Sequence, residues 1–249
     1  MSANSLGLLL KAFRLPTMAE IYERVEQEAE QQGWGYHKFL QHLCEAEAQD
    51  RAERKLERLL KQAGLPNGKT LGSLEEAKLP AKVRRVFPSL LEGGFVTRAE
   101  NVIALGLPGR GKSHFLAALG RELILRHQYE VLFTPTFKLV QQLLAARRDM
   151  RLEAVLRQLD HFDAIILDDL GYVQQAREEM EVLFTFLAER YERRSVLLSS
   201  NLVFSKWDQI FKDPMTTMAA IDRLVHHAII LEFNGESMRV PREKEKGGG

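Results

Sequence analysis

Gly106-Leu107-Pro108-Gly109-Arg110-Gly111-Lys112-Ser113 fills every fixed position of the pattern G-x-x-x-x-G-K-[ST]. What surrounds the pattern decides its meaning. Upstream, the apolar run Val102-Ile103-Ala104-Leu105 reads as a buried strand. Downstream, Phe115, Leu116, Leu119, Leu123 and Ile124 recur at helical spacing. A strand, a glycine-rich loop and a helix in that order make a phosphate cradle. The glycines let backbone N–H groups turn inward without Cβ clashes, and the helix N-terminus adds its positive dipole end. Lys112 is placed to neutralise β/γ-phosphate charge, and the Ser113 hydroxyl to ligate Mg²⁺. The plainer alternative, a glycine-rich turn, does not explain Gly-Lys-Ser in register.

Working outward from the loop, strands and helices alternate. The expected strands lie near 130–134, 163–167, 195–200 and 228–232, and helices near 137–147, 152–159, 178–193 and 219–226 fill the gaps, with Thr136 as N-cap of the first. A further short helix is expected from Ser205, with Pro214 closing it. That alternation predicts an α/β fold, a parallel five-stranded sheet covered by helices on both faces. Residues 1–70 form a small helical unit, with one helix from Pro16 to Gly33 and another from Tyr36 that Gly64-Leu65-Pro66-Asn67-Gly68 stops. The second helix carries Glu47/Arg51, Asp50/Arg54 and Glu57/Lys61 at i,i+4 on its solvated face. Its basic residues Arg51, Arg54, Lys55, Arg58 and Lys61 are open to three readings: ordinary surface, DNA phosphate contacts, or a subunit contact. Residues 71–97 read as a linker with a short helix around 82–86, 98–242 as the nucleotide-binding domain, and 243–249 as a tail.

Composition narrows the class. With 35 basic and 34 acidic residues the net charge is +1, so any nucleic-acid surface must be local. A single cysteine excludes an intramolecular disulfide and suits a reducing compartment; its neighbours Phe39, Leu40 and Leu43 predict that Cys44 is buried. His226-His227 has no nearby sequence partners to complete a metal set. No run reaches the roughly 18 apolar residues of a membrane span, and Leu8-Leu9-Leu10 is too short for a signal segment. A cytoplasmic protein with no membrane association is expected.

Around the loop, Asp168-Asp169 follows four apolar residues. The first carboxylate is suited to hold Mg²⁺ opposite Ser113, and Asp169 to orient or deprotonate an attacking water, although two carboxylates can also simply end a strand. Asn201 ends the next expected strand, where an amide can position water or merely form a turn. Arg223 is either a surface helix residue or an arginine offered to a neighbour's γ-phosphate. Arg147, Arg148, Arg151 and Arg157 form a lid, a phosphate-backbone contact or, by default, a solvated helix pair. A GTPase is excluded by the lack of Asn-Lys-x-Asp, since Ser205-Lys206-Trp207-Asp208 lacks the asparagine.

Gly-Leu-Pro-Gly-Arg-Gly-Lys-Ser-His at 106–114, Ile-Leu-Asp-Asp-Leu-Gly-Tyr at 166–172, Ser-Ser-Asn-Leu at 199–202 and Ala-Ile-Asp-Arg-Leu-Val-His-His-Ala at 220–228 together resemble the IstB family. That family comprises AAA+ ATPases encoded beside insertion-sequence transposases and related to the DnaC helicase loader. Leu-Pro-Thr-Met-Ala-Glu at 15–20 and Ala-Glu-Arg-Lys-Leu-Glu-Arg at 52–58 are similar to it as well. The resemblance implies an ATPase using ATP and Mg²⁺ that binds duplex DNA, forms a homo-oligomer with ATP sites shared between subunits, and helps a cognate transposase select and capture its target. It implies nucleotide contacts from Gly106 to His114. Lys112, Asp169, Asn201 and Arg223 become catalytic, with Arg223 acting in trans, and Ser113 and Asp168 become metal-binding. It also points to Lys138, Arg147, Arg148 and Arg151 as DNA contacts. Only about 17 residues follow Glu232, which leaves no room for a C-terminal lid domain and matches the loader branch. A helicase loader is the alternative within this fold, and a metabolic kinase or a nucleotide-gated scaffold the alternatives outside it.

Overall fold

A computed structural model of the chain describes residues 4–171, 177–202 and 224–234. The chain divides into two compact units, Met1–Arg58 and Leu59–Gly249.

The first unit contains α1 (Asn4–Ala12), α2 (Pro16–Gln32) and most of α3 (Tyr36–Gln62). Proline at the first helical position starts α2, where its missing N–H costs nothing, and Gly33 ends it in the left-handed region at φ 64°. Leu10, Met18, Tyr22, Val25 and Leu43 form the core. The Glu47/Arg51 and Asp50/Arg54 pairs form at 3.2 and 2.9 Å, but Glu47 does not sit on a solvated face. It is 4% exposed, and its Oε2 accepts from the N–H groups of Thr17 and Met18 at 2.9 and 3.2 Å. Those amides belong to the first turn of α2, whose donors have no partner inside the helix, so a carboxylate from α3 caps α2. Cys44, expected to be buried, is exposed. One residue past Leu43 it lies about 100° round the helix from the packed face. Tyr36 and Leu40 are exposed too, which narrows the apolar stripe of α3 to Phe39 and Leu43 in this unit.

The second unit is built on five parallel strands: β1 (Asn101–Leu105), β2 (Val131–Pro135), β3 (Ala164–Leu170), β4 (Ser195–Ser200) and β5 (Ala228–Glu232). Their order is β2-β3-β4-β1-β5, so β1 lies between β4 and β5 and its C-terminal end opens between neighbours on both sides. On one face, Ile103, Leu105, Ile165, Leu167, Val196 and Leu198 pack against α7 (Thr136–Arg148) and α9 (Arg177–Arg190), with α8 (Leu152–Asp160) beside them. The other face receives α6 (Lys112–His127), which approaches so closely that a Cβ on Gly120 would lie 2.5 Å from Ile166 Cδ1. α4 (Ala81–Leu91) runs longer than the sequence suggests, because Val83, Phe87 and Leu90 are buried and Phe87 stacks 4.7 Å from Phe115 of α6. A single turn, α5 (Gly94–Thr97), leads into β1.

Thr136 is not an N-cap. It is already helical, and its hydroxyl donates across the sheet end to Asp168 O at 2.9 Å, tying α7 to the strand that carries the carboxylates. Arg190 is 2% exposed and donates to the carbonyls of Leu159, Phe162 and Ser195, and burial pulls its guanidinium down to about 10. The expected helix from Ser205 and most of the helix at 219–226 lie outside the described residues, as do 235–249 and Arg223. Among the described residues, no helix is long and apolar enough to cross a membrane.

Candidate nucleotide site

The loop between β1 and α6 turns on three glycines with positive φ: Gly106 at 150°, Gly109 at 83° and Gly111 at 85°. Gly106 is fixed on both sides. Its N–H donates to Ser200 O at 3.1 Å, and a Cβ here would lie 2.6 Å from Phe233 O. The loop is therefore wedged between the ends of β4 and β5, at the break in strand order where open parallel sheets bind ligands. Gly111 caps α6, so the first free N–H groups of a 16-residue helix face the loop.

A cavity of about 640 Å³ opens here. Pro108, Gly109, Arg110 and Gly111 form one side, and Lys112, Ser113 and His114 of α6 form its floor. Asp169 and Asn201 line it from the ends of β3 and β4, and Lys69 from the turn before α4. The Lys112 side chain is buried at 5% exposure, and its Nζ donates to Gly106 O at 2.6 Å and Leu107 O at 3.0 Å. Its ammonium thus stands at the centre of the loop. Arg110 Nη1 and Asn201 Oδ1 are shielded from solvent without a hydrogen-bond partner among the described residues. Buried polar atoms are rarely left so unless a ligand or water meets them. A cationic, amide-lined cradle with an unsatisfied guanidinium N–H fits a polyphosphate, and Asn201 Oδ1 is an acceptor suited to a water beside it.

The two adjacent carboxylates are handled differently. Asp168 is half-buried, does not line the cavity, and accepts from Ser199 Oγ at 2.5 Å. Asp169 is exposed in the cavity and takes φ 59°, where the β3–β4 register slips between Leu167 and Leu170. Its N–H donates to the same Ser199 Oγ at 2.9 Å. The bulge re-aims the second side chain away from the sheet. Ser199 is fully buried and holds both residues from β4. Nothing local in the sequence singles out Ser199 from Ser200 as this tether.

Lys69 is likewise invisible to sequence reasoning, in which Pro66-Asn67-Gly68 serves only as a helix stop. Its turn is held on α6 by His114, whose Nε2 lies 3.0 Å from Ser73 Oγ and 3.3 Å from Thr70 O. The loop and α6 thus bring together Gly106 to His114, with Asp169 and Asn201 across the cavity; Arg223 falls outside the described residues. The basic group near α7 is elsewhere and divided. Arg147 pairs with Glu181 at 2.9 Å and holds its carboxyl below the usual range, and Arg151 lies 3.6 Å from Asp149. Lys138 and Arg148 are exposed with no ion pair among the described residues. His226-His227 does gain a partner in space that the sequence separates from it. Glu192 lies 3.4 Å from His227 Nε2, and all three side chains are exposed.

Residues 8–246 match the profile of a family described as IstB-like ATP binding protein. The chain belongs to this family. An insertion-sequence ATP-binding protein from Sinorhizobium fredii (strain NBRC 101917 / NGR234) is 43% identical to this IstB-like chain over 235 residues, covering 94% of it and 78% of the relative. The insertion sequence IS21 ATP-binding protein of Pseudomonas aeruginosa is 37% identical over 245 residues, covering 98% and 92%. Among solved structures, the DnaI crystal structure superposes with a TM-score of 0.55 at 20% identity, covering 68% of this chain and 94% of DnaI. The DnaC helicase loader gives 0.51 at 16%, covering 62% and 92%. These likenesses establish the fold as that of AAA+ proteins. The chain is thus an ATPase of the IstB-like family.

Proposed function

We propose that this IstB-like ATPase binds duplex DNA, assembles on it in an ATP-dependent manner, and assists a transposase in choosing and capturing a target site. The observation that carries the proposal is a cavity holding both the phosphate loop and Asp169, in a chain whose relatives are named as insertion-sequence ATP-binding proteins.

In this reading Lys112 and the amides of the loop bind the phosphates. Asp169, held by Ser199, accepts the proton of the attacking water, and the unpaired Asn201 Oδ1 orients that water. Ser113 lines the cavity and offers the hydroxyl oxygen a hard cation takes, and Asp168, set back from the cavity with Oδ1 bonded to Ser199, would hold Mg²⁺ through the ion's waters. The ion, when bound, neutralises charge on the phosphates. Arg223 completes a neighbouring subunit's site, which makes hydrolysis depend on assembly. Lys138, Arg147, Arg148 and Arg151 meet the DNA backbone.

ATP hydrolysis and sedimentation, each with and without duplex DNA, test this on wild type and Lys112→Ala. ATP should drive large complexes on DNA, and Lys112→Ala should abolish them. If DNA changes neither turnover nor sedimentation, the proposal fails. Arg223→Ala should bind ATP yet not hydrolyse it, and mixing it with Asp169→Asn should restore turnover; no rescue would refute a shared site.

A further inference from the structure

Within the first unit, the end of α1 and the outer side of α3 enclose an open groove of about 580 Å³. Lys11, Arg14, Arg51, Arg54, Lys55 and Arg58 line it, with Pro16 as the one uncharged neighbour. Concentrating six cations in one groove is notable in a chain whose net charge is only +1.

The pattern on α3 shows that the cations are sorted. At 100° per residue, Arg51, Arg54, Lys55 and Arg58 fall within an arc of about 100°. Glu45, Glu53 and Glu57 fall on the opposite side, where Gln41 and Gln49 donate to Glu45 and Glu53 at 2.7 and 3.0 Å. An ordinary solvated helix would interleave the signs.

Only two carboxylates reach the groove side, and both are engaged in holding the unit together. Glu47 caps α2, and Asp50 accepts from Thr17 Oγ1 at 2.6 Å. Arg51 and Arg54 bond to these acids, and Arg51 also donates to Arg14 O at 2.9 Å. Lys11, Arg14, Lys55 and Arg58 have no ion-pair partner among the described residues. The six cations outnumber these two carboxylates, so the groove itself carries a net positive charge.

We infer that this groove is a second nucleic-acid contact, one that grips the phosphate backbone of duplex DNA independently of the ATP site and of the α7 basic group. Its chemistry favours that occupant over an acidic peptide. A peptide needs apolar or aromatic anchor pockets, and here only Pro16 and the side-chain stems are apolar. Flexible cations at point spacing suit a regular array of phosphates and carry no base preference. From Arg51 to Arg58 the helix rises about 10 Å, which spans about three phosphates of one strand.

The test uses the full chain and a fluorescent random-sequence duplex, with affinity measured across a salt titration without nucleotide and then with ATP. The variant Lys11→Gln/Lys55→Gln/Arg58→Gln removes charge from three exposed side chains and leaves the capping network of Glu47 intact. Nucleotide-free binding should lose about 0.9 in log–log salt slope per contact, roughly 2.7 in all. Near 0.1 M salt that is an affinity loss on the order of 10²-fold. Lys55→Arg should retain wild-type binding. An unchanged slope and affinity in the triple variant overturns the inference. So does a triple variant that binds DNA normally but loses ATP-driven assembly without DNA, because the groove would then be a protein contact. The two proposals fail separately. Loss of the groove leaves an ATP-stimulated component of DNA binding, and failure of ATP-driven assembly leaves nucleotide-free binding that the triple variant removes.

Discussion

Replacing Ser199 by alanine removes one oxygen that serves two carboxylate residues. The side chain is fully buried, donates to Asp168 Oδ1 at 2.5 Å and accepts from Asp169 N at 2.9 Å. Without it the Asp169 N–H loses its acceptor, at a cost of about 1–3 kcal/mol for an unsatisfied donor away from water. Asp168 is half-buried and can turn partly to solvent, so its lost bond adds only about 0.5–1 kcal/mol. Together these predict destabilisation of about 1.5–4 kcal/mol, or a urea midpoint lower by roughly 0.5–2 M for a slope of about 2–3 kcal/mol per M. The larger consequence concerns position. Asp169 is held at φ 59° in a bulge, and the Ser199 bond ties its backbone N–H to β4. Once released, its carboxylate shifts relative to the loop, and a misplacement of about 1 Å can lower turnover by up to 10²-fold. Lys112 and the glycines are untouched, so ATP affinity should hold. Urea unfolding, equilibrium binding of a fluorescent ATP analogue and steady-state turnover separate these effects. A variant with turnover within twofold of wild type would refute the positioning role, and one with an unchanged urea midpoint would refute the energetics.

Three further expectations concern the frame around the site. Gly106→Ala places a Cβ 2.6 Å from the backbone oxygen of Phe233 at a φ of 150°, and Phe233 N also donates to Leu105 O at 2.7 Å. Strain of about 1–3 kcal/mol plus displacement of that bond should lower the thermal midpoint and weaken ATP binding together; a variant with both unchanged would contradict the wedged geometry. Glu47→Ala strips the cap from α2, so hydrogen exchange in 16–32 should accelerate by the equivalent of about 2 kcal/mol, with exchange in β1 and β3 unaltered. The Arg98 guanidinium bonds both oxygens of Glu100 at 3.0 and 2.9 Å and holds its carboxyl below the ordinary range. A depressed carboxylate stabilises the fold above its unfolded pKa, and the contribution is lost as pH falls through the folded value. NMR titration of Arg98→Met should therefore find Glu100 returned to an ordinary carboxylate pKa and the acid limb of stability flattened.

The phosphate loop was legible before any coordinates because its conformation is local. Three glycines, a lysine and a hydroxyl within eight residues are a backbone conformation written in sequence, and a buried parallel strand needs an unbroken apolar run whatever lies beside it. Asp169 and Asn201 could be named because each stands among the polar residues that end an apolar strand run. The exceptions are the contacts between segments far apart in sequence. Thr136 has the chemistry of a cap, yet its hydroxyl bonds to Asp168 O, thirty-two residues away. Glu47 looks like half of a surface i,i+4 pair, yet it is buried beneath the first turn of a helix thirty residues earlier. Cys44 follows an apolar residue and is nonetheless exposed, because the face of a helix is chosen by its partner.

By itself, then, the sequence determined the alternation of strands and helices, the phosphate loop and the carboxylates near the end of β3, all through short-range sterics and hydrophobic periodicity. Only the tertiary structure decided that Ser199 rather than Ser200 bonds both the Asp168 carboxylate and the Asp169 backbone, that Lys69 enters the cavity beside the loop, and that six cations from α1, the turn after it and α3 share one groove. Each of these depends on which surfaces meet across the fold. That choice is made by the summed packing of many residues, and no one stretch of chain encodes it.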